Sequence, residues 1–297
     1  MRVKLAAGDL MRFEQIGQSF VAQVEDIDLR VINDNQFDDL YQAWLRFGVL
    51  RIRGQSLTDN ELQLFSNRFG PLEEIPYGNI SEKEKEKIKN RYVTVISNIK
   101  VDGRPIGGLG NKEATWHSDM TYIDNPPPAS ILMSIEVPEF GGDTHFSDQK
   151  AAYQSLPKEL VSRVQNLSIK HNAAHTSVGD LRRGFDPIDD PRAAPGAIHP
   201  IIRIHNETKD NMLYLGRREL AYVAGLELEA SEQLLDEIWH YAASDENIWT
   251  QRWEVGDVII WDNRRVLHRR DGFDQRQRRL MKRCQVMSAV AQYVMNR

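Results

Sequence analysis

A histidine and a carboxylate lie two residues apart in Trp116-His117-Ser118-Asp119, and a further histidine, His268, stands far downstream. Two imidazoles and one carboxylate fill one face of a six-coordinate iron and leave the opposite face open. A fold that uses all three must bring the middle of the chain against a segment near its C-terminus. Taken alone, His-x-Asp is a weak signal, more often a surface pair than a metal site. Residues i and i+2 of a strand face the same side, however, so His117 and Asp119 are expected to point into one cavity.

The segments around this pair read as short strands and helices. After Asp119 come Pro126-Pro127-Pro128 and a strand-like run from Ala129 to Val137. Gly141-Gly142 then predicts a tight turn into a new strand, with the hydroxyl of Thr144 at its start. Val101 to Ala114, rich in Gly and Pro, sits just ahead of the ligand pair as a natural lid. Val255 to Trp261 is an apolar strand broken by the turn pair Gly256-Asp257. Upstream, Phe20 to Val24, Val49 to Ile52 and Tyr92 to Ser97 are strand-like. Phe37, Leu40, Tyr41, Trp44 and Leu45 recur at helical spacing behind a cap in Asp34 or Asn35, and Gly48 ends that helix. Thr58 and Glu61 form a capping box for a second helix carrying Leu62, Phe65 and Phe69. Both helices read as scaffold. A later helix is expected from Ser231 to Ala243, with Leu234, Leu235, Ile238 and Tyr241 as its core stripe.

Composition excludes several classes. Lys and Arg number 38 against 43 Asp and Glu, a net charge of −5, so no broad basic surface for nucleic acid is implied. The one cysteine, Cys284, rules out an internal disulfide and a cysteine-based zinc cluster. No apolar run approaches the ~18 residues of a membrane span. Met1 to Leu10 lacks a basic region followed by an apolar core, so a cytoplasmic chain without a signal peptide is the expectation. The alternating Glu82 to Lys87 run reads as a solvated segment whose charges cancel. At 297 residues, a β-rich chain fits one domain spanning residues 1–297.

The closing run Arg278-Arg279-Leu280-Met281-Lys282-Arg283 leads into Cys284 to Ser288. On a strand, Arg279, Met281, Arg283 and Gln285 share one face, with the two arginines roughly 13 Å apart. Guanidiniums turned into a pocket are costly unless each meets an anion, and arginine binds carboxylates in bidentate fashion. An exposed edge strand with its arginines in water is the competing reading.

In combination these motifs resemble the taurine dioxygenase/2,4-D dioxygenase family of iron(II)- and 2-oxoglutarate-dependent oxygenases. The similarity runs from about Phe47 to Val286. It rests on Trp116-His117-Ser118-Asp119, the proline run, Gly141-Gly142-Asp143-Thr144, His199-Pro200 with Ile201-Ile202-Arg203, Trp261-Asp262-Asn263-Arg264 ahead of His268, and the closing arginine run. The resemblance implies a mainly β fold with flanking helices around a double-stranded β-helix, or jelly-roll, core. It places the Fe(II) ligands, the catalytic centre, on His117, Asp119 and His268. It places the 2-oxoglutarate partners on Thr144 and Arg279, and a substrate-anion arginine on Arg283. O2 is the other cosubstrate, succinate and CO2 are released, and hydroxylation of a small-molecule substrate is the usual outcome. A carboxylate at position 119 argues against halogenation, which needs a small residue there. The family also implies a homo-oligomer, a dimer or tetramer; charge and hydropathy, as above, give no expectation of a nucleic-acid or membrane partner.

Two departures argue against taurine. The taurine enzyme has a histidine for the sulfonate just before the proline matching Pro76, where this chain has Ile75. It has an asparagine four residues ahead of the first iron histidine, where this chain has Glu113. Ile75 and Tyr77 make the expected pocket more apolar, favouring an anion with an apolar or aromatic body, whereas Glu113 leaves an amine open. Among the other histidines, His171 and His175 are spaced for zinc only if helical, and their flanks read as strand and loop. His145 and His199 are expected to be packed, His205 and His240 peripheral. The irregular stretch Thr176 to Ala197 reads as a second lid, from which Arg182, Arg183 and Phe185 reach towards substrate or lie in water. Two alternative classes remain: a zinc-dependent hydrolase, which lacks an obvious general base and leaves Arg279 unpartnered, and a non-catalytic jelly-roll binding protein, which needs no ligand triad.

Overall fold

The apolar runs in Ala129–Glu136 and Val258–Asp262 are buried along nearly their whole length, because these central strands are covered on both faces. The computed structural model describes residues 11–75 and 90–288; Tyr77 and the Glu-Lys run lie outside them. An eight-stranded sheet runs in the order Arg12–Gln15, Val21–Glu25, Val49–Ile52, Val258–Asp262, Ala129–Glu136, Leu280–Val286, Thr94–Ser97, Gly108–Leu109. A four-stranded sheet runs Ile248–Gln251, Thr144–Asp148, Val266–Arg270, Ala114–His117. Side-chain alternation assigns each strand's two faces. Ile259 and Trp261, with Leu132 from the neighbouring strand, turn towards Phe146 and Val266 of the smaller sheet. Val258, Ile260, Ile131 and Met133 turn the other way, onto Leu40, Trp44, Leu62 and Phe65 of two helices. The result is the expected jelly roll, two facing sheets with helices outside.

The scaffold helices occur as Asp34–Phe47 and Asp59–Ser66. Thr58 and Glu61 form the expected capping box. The first helix is capped one residue earlier than expected, by Asn33: its side chain takes the Gln36 N–H while Gln36 returns to the Asn33 N–H. The later helix begins at Leu228 and packs Leu234, Leu235 and Ile238 against Leu160, Ile169 and Leu267. Among the described residues no helix is long and apolar enough to cross a membrane.

His205 is not peripheral as expected. It is 3% exposed, and its Nε2 lies 2.9 Å from Asp262 Oδ2. Arg264 closes on the same carboxylate through Nε at 2.8 Å and Nη2 at 2.7 Å, and reaches Glu207 at 2.6 Å. This network ties the loop after Val258–Asp262 to the loop before Asn211–Leu213, two segments a single helix or strand cannot link. Burial opposes ionisation of Asp262, but Arg264 and then His205 bring its pKa down to about 2 from 3.8. A carboxylate depressed in the folded state stabilises above its unfolded pKa, and that stabilisation disappears as pH falls through the folded value. Asp262→Asn is therefore expected to remove about 2 kcal/mol near neutral pH. In chemical denaturation, the gap between variant and parent should close as pH falls from 3.8 to about 2; a gap that stays constant contradicts the linkage.

Candidate metal centre and its cavity

Strand register brings the two histidines together. Val266–Arg270 pairs on one side with Thr144–Asp148 and on the other with Ala114–His117, so that His268 stands directly opposite both His117 and Phe146. Directly paired residues share a face of the sheet. The two imidazoles lie 4.1 Å apart between ring centres, with His268 stacked along Phe146 and packed on Trp261. His117 Nδ1 donates to the Thr115 carbonyl at 2.7 Å, which leaves Nε2 as a lone pair aimed inward.

Asp119 reaches the site by a different route from the one its spacing suggested. The strand ends at His117, and Met120 adopts a left-handed φ of 54°. Period-two alternation therefore does not aim Asp119; Asn263 does. The Asp119 N–H donates to Asn263 Oδ1 at 2.8 Å, and Asn263 Nδ2 donates to the carbonyls of Asp119 and Pro127, both at 2.9 Å. Asn263 thus clamps the turn that presents the carboxylate. It belongs to the Trp261-Asp262-Asn263-Arg264 motif, but its role was not legible from spacing. Asn263→Ala is expected to weaken Mn(II) or Fe(II) binding by about 10- to 100-fold with little change in secondary structure. Calorimetric metal titration checks this, and unchanged affinity contradicts the clamp.

The three donor groups lie within 4.8 Å of one another. Asp119 Oδ1 is 3.8 Å from His117 Nε2 and 3.9 Å from His268 Nε2, too far for hydrogen bonds and spaced around an ion-sized gap. His117, Asp119 and His268 are only 9%, 6% and 8% exposed. Burial first, and the neighbouring His268 next, lower the His117 pKa to about 3; burial lowers His268 as well. Both rings are neutral at pH 7, as ligands must be. Burial works against the Asp119 charge, but Arg283 and the two imidazoles hold it well below the ordinary carboxylate range. Arg283 Nη1 donates to both Asp119 oxygens, at 3.1 and 3.2 Å, and Ser130 Oγ donates at 3.1 Å. Two neutral nitrogens and one fixed anion form a donor set suited to a divalent ion.

The centre opens into a cavity of about 310 Å³, within the range of small-molecule sites. One end is strongly cationic. Arg279 and Arg270 line it, 2% and 6% exposed, each with an Nε that meets no acceptor among the described residues. Burial, reinforced by Arg270, pushes Arg279 down to about 9; burial alone brings Arg270 to about 10. Beside them Thr144 Oγ1 accepts a hydrogen bond from Trp253 Nε1 at 3.0 Å, leaving its own proton free to donate. Two buried cations and a spare hydroxyl proton make a seat for a carboxylate. The preceding turn needs both glycines: Gly141 and Gly142 have φ of 77° and 70°, and a Cβ on Gly141 would fall 2.8 Å from the Gly272 carbonyl. Arg270 had no role in the sequence reading. Strand alternation marks it, since it lies two residues beyond His268 on the same face.

The remaining expected residues divide. Arg283 lines the cavity, with its guanidinium on Asp119. Arg182 also lines it, whereas Arg183 and Phe185 of the same loop are exposed. Glu113 does not line it: its side chain is 63% exposed and lies 3.7 Å from Arg269, while its neighbour Ala114 faces the cavity. Ile75 is half-buried, bonded through its N–H to the Arg91 carbonyl, and is not a lining residue. His171 is packed against His199 and Tyr214, and His145 bonds Asp271 and Thr250. Glu73, Tyr122 and Arg217 line the cavity without having been singled out for it.

The chain is also similar to known proteins. The family model described as "Taurine catabolism dioxygenase TauD, TfdA family" matches residues 12–285. The chain is 32% identical over 278 residues to the alpha-ketoglutarate-dependent 2,4-dichlorophenoxyacetate dioxygenase of Cupriavidus pinatubonensis, covering 89% of this chain and 93% of that protein. It is 30% identical to the (S)-phenoxypropionate/alpha-ketoglutarate-dioxygenase of Sphingobium herbicidovorans, covering 89% and 90%. Among solved structures, AAD-2 in complex with Mn(II) and N-oxalylglycine superposes with a TM-score of 0.77 at 26% identity, covering 94% of this chain and 97% of that one.

Proposed function

We infer the reaction from one premise: the chain belongs to the taurine catabolism dioxygenase TauD, TfdA family. It is a 2-oxoglutarate-dependent dioxygenase that uses Fe(II), 2-oxoglutarate and O2 and acts on small anionic organic substrates. The observation that carries the residue-level reading is the pairing of the neutral–neutral–anionic triad with a separate cationic end in the same cavity. With iron and keto acid bound, the centre supplies the oxidant that forms from O2 as 2-oxoglutarate loses carbon dioxide and becomes succinate.

The chain's own residues hold and orient. His117, Asp119 and His268 take the metal. Arg279, Thr144 and Arg270 take the far carboxylate of 2-oxoglutarate by charge-assisted hydrogen bonds, so the keto acid points its other end at the triad. Arg283 and Ser130 keep Asp119 ionised and oriented. Phe146 and Trp261 wall His268 from water. Ile96, Leu109 and Leu132 line the cavity and suit an apolar or aromatic substrate body rather than taurine.

Succinate release under air, with Fe(II) and 2-oxoglutarate, tests this across aryloxyalkanoates, sulfate esters, amino acids and taurine. Release stimulated by an aryl or alkyl acid above the taurine level is expected, with oxygenated product in equal amount. Taurine as the best stimulant, or release that no acid raises, overturns the substrate reading.

A further inference from the structure

The two keto-acid partners Arg279 and Thr144 belong to different sheets. Arg279 immediately precedes the strand Leu280–Val286 of the eight-stranded sheet, and Thr144 opens the strand Thr144–Asp148 of the four-stranded sheet. No ladder therefore sets their separation. Arg279 also lies one residue outside its strand, so alternation along the strand does not aim its side chain.

Asn98 bridges the gap. It is half-buried and follows the strand Thr94–Ser97. Its Oδ1 accepts the Arg279 N–H at 3.0 Å, and the neighbouring Ser97 Oγ donates to the Arg279 carbonyl at 2.7 Å. Both main-chain groups of Arg279 are thus held. Asn98 Nδ2 donates to the carbonyl of Gln277 at 2.7 Å and to that of Gln275 at 3.3 Å. The Gln277 side chain carries the connection onward, its Oε1 accepting the N–H of Glu139 at 2.6 Å and of Phe140 at 3.5 Å. Phe140 leads directly into Gly141-Gly142-Asp143-Thr144. A Cβ on Gly142 would fall 3.5 Å from Arg279 Cδ, so the arginine stem passes over this turn. One amide ties the segment carrying Arg279 to the turn that presents Thr144.

The amide is used in both senses, as acceptor for one segment and donor to another. Aspartate would keep the acceptor and lose the donors, and an apolar residue would lose both. The Arg279 guanidinium makes this restraint matter. It is 2% exposed, and burial first and Arg270 next disfavour its charge, with Asp143 as a smaller opposing influence. A cation so placed gains by moving towards water, and a fixed backbone keeps it on the cavity.

We propose that Asn98 is a positioning residue for keto-acid binding, its amide setting Arg279 and Thr144 at the separation that one carboxylate spans. This rests on the dioxygenase reading above. Asn98 does not line the cavity, so its effect on the keto acid passes through Arg279.

The test uses the full chain loaded with Fe(II) under anaerobic conditions. Binding of 2-oxoglutarate is followed by the visible charge-transfer band, and Tm is measured alongside. Asn98→Ala is expected to raise the 2-oxoglutarate Kd by about 10-fold. The Fe(II) Kd should move less than about threefold. Gln277→Ala, which cuts only the link to Glu139 and Phe140, should raise the 2-oxoglutarate Kd by about three- to tenfold. In an Arg279→Met background, Asn98→Ala should add less than about threefold, because the arginine it positions is gone. Should Asn98→Ala fail to fold, Gln277→Ala carries the same cycle. A lowered Tm with a 2-oxoglutarate Kd within about threefold of the parent would make Asn98 purely structural and overturn the proposal. An added loss of about 10-fold in the Arg279→Met background does the same. Both outcomes leave the dioxygenase reading intact. A parent that shows no band with 2-oxoglutarate fails that reading and takes the proposal with it.

Discussion

Replacing Asp119 by alanine is expected to abolish stable Fe(II) binding and to lower substrate-dependent succinate release by at least about a thousandfold, equivalent to about 4 kcal/mol. Asp119 is the anion of the triad, and its carboxylate is gripped by Arg283 and Ser130. Its removal takes away a ligand and leaves the Arg283 guanidinium unpaired beside two imidazoles. An incoming divalent ion then meets a neighbouring cation instead of a counter-charge, in a site largely withdrawn from water. The loss should therefore exceed that of removing a neutral ligand, as in His117→Ala. Metal content after dialysis against Fe(II) and single-turnover succinate formation check it. Iron retained at parental affinity would mean that the metal sits elsewhere.

Arg279→Met should raise the KM for 2-oxoglutarate by about 100-fold, from loss of charge-assisted hydrogen bonds of about 1.5–3 kcal/mol in a buried setting. The kcat at saturating keto acid should fall much less, because Arg279 lies at the far carboxylate's end and away from the ligands. Stability offers a second readout. Without keto acid, Arg279 and Arg270 are two buried cations side by side, both depressed by burial. Removing one relieves that repulsion, so the keto-acid-free variant should melt no lower than the parent, while the rise in Tm that 2-oxoglutarate gives the parent should largely vanish. A KM within about threefold of the parent, or a clearly destabilised apo-protein, would make Arg279 a structural residue.

The sequence spoke most clearly where one local rule sufficed. Helical spacing located Asp34–Phe47, and a strand-like apolar run located Ala129–Glu136. Motif spacing named the triad. What it missed depends on distant register. Asp119 was assigned to a strand that stops at His117, because nothing local reveals that Asn263 caps the turn. Arg270 needed the observation that His268 faces inward before alternation carried any information. His205 looked peripheral because its partner Asp262 is remote in the chain. Glu113 was placed by counting back from His117, but the backbone turns its side chain outward to Arg269. Arg217 carried no motif at all, and only the packing of Gly216 against His171 shows where it points.

The most direct measurement is anaerobic addition of 2-oxoglutarate to the Fe(II)-loaded protein while the visible spectrum is recorded. The expected result is a weak charge-transfer band that saturates at one keto acid per chain, is lost in Asp119→Ala, and needs far more keto acid in Arg279→Met. No band in the parent, together with tight zinc binding and hydrolytic activity, would contradict the oxygenase account.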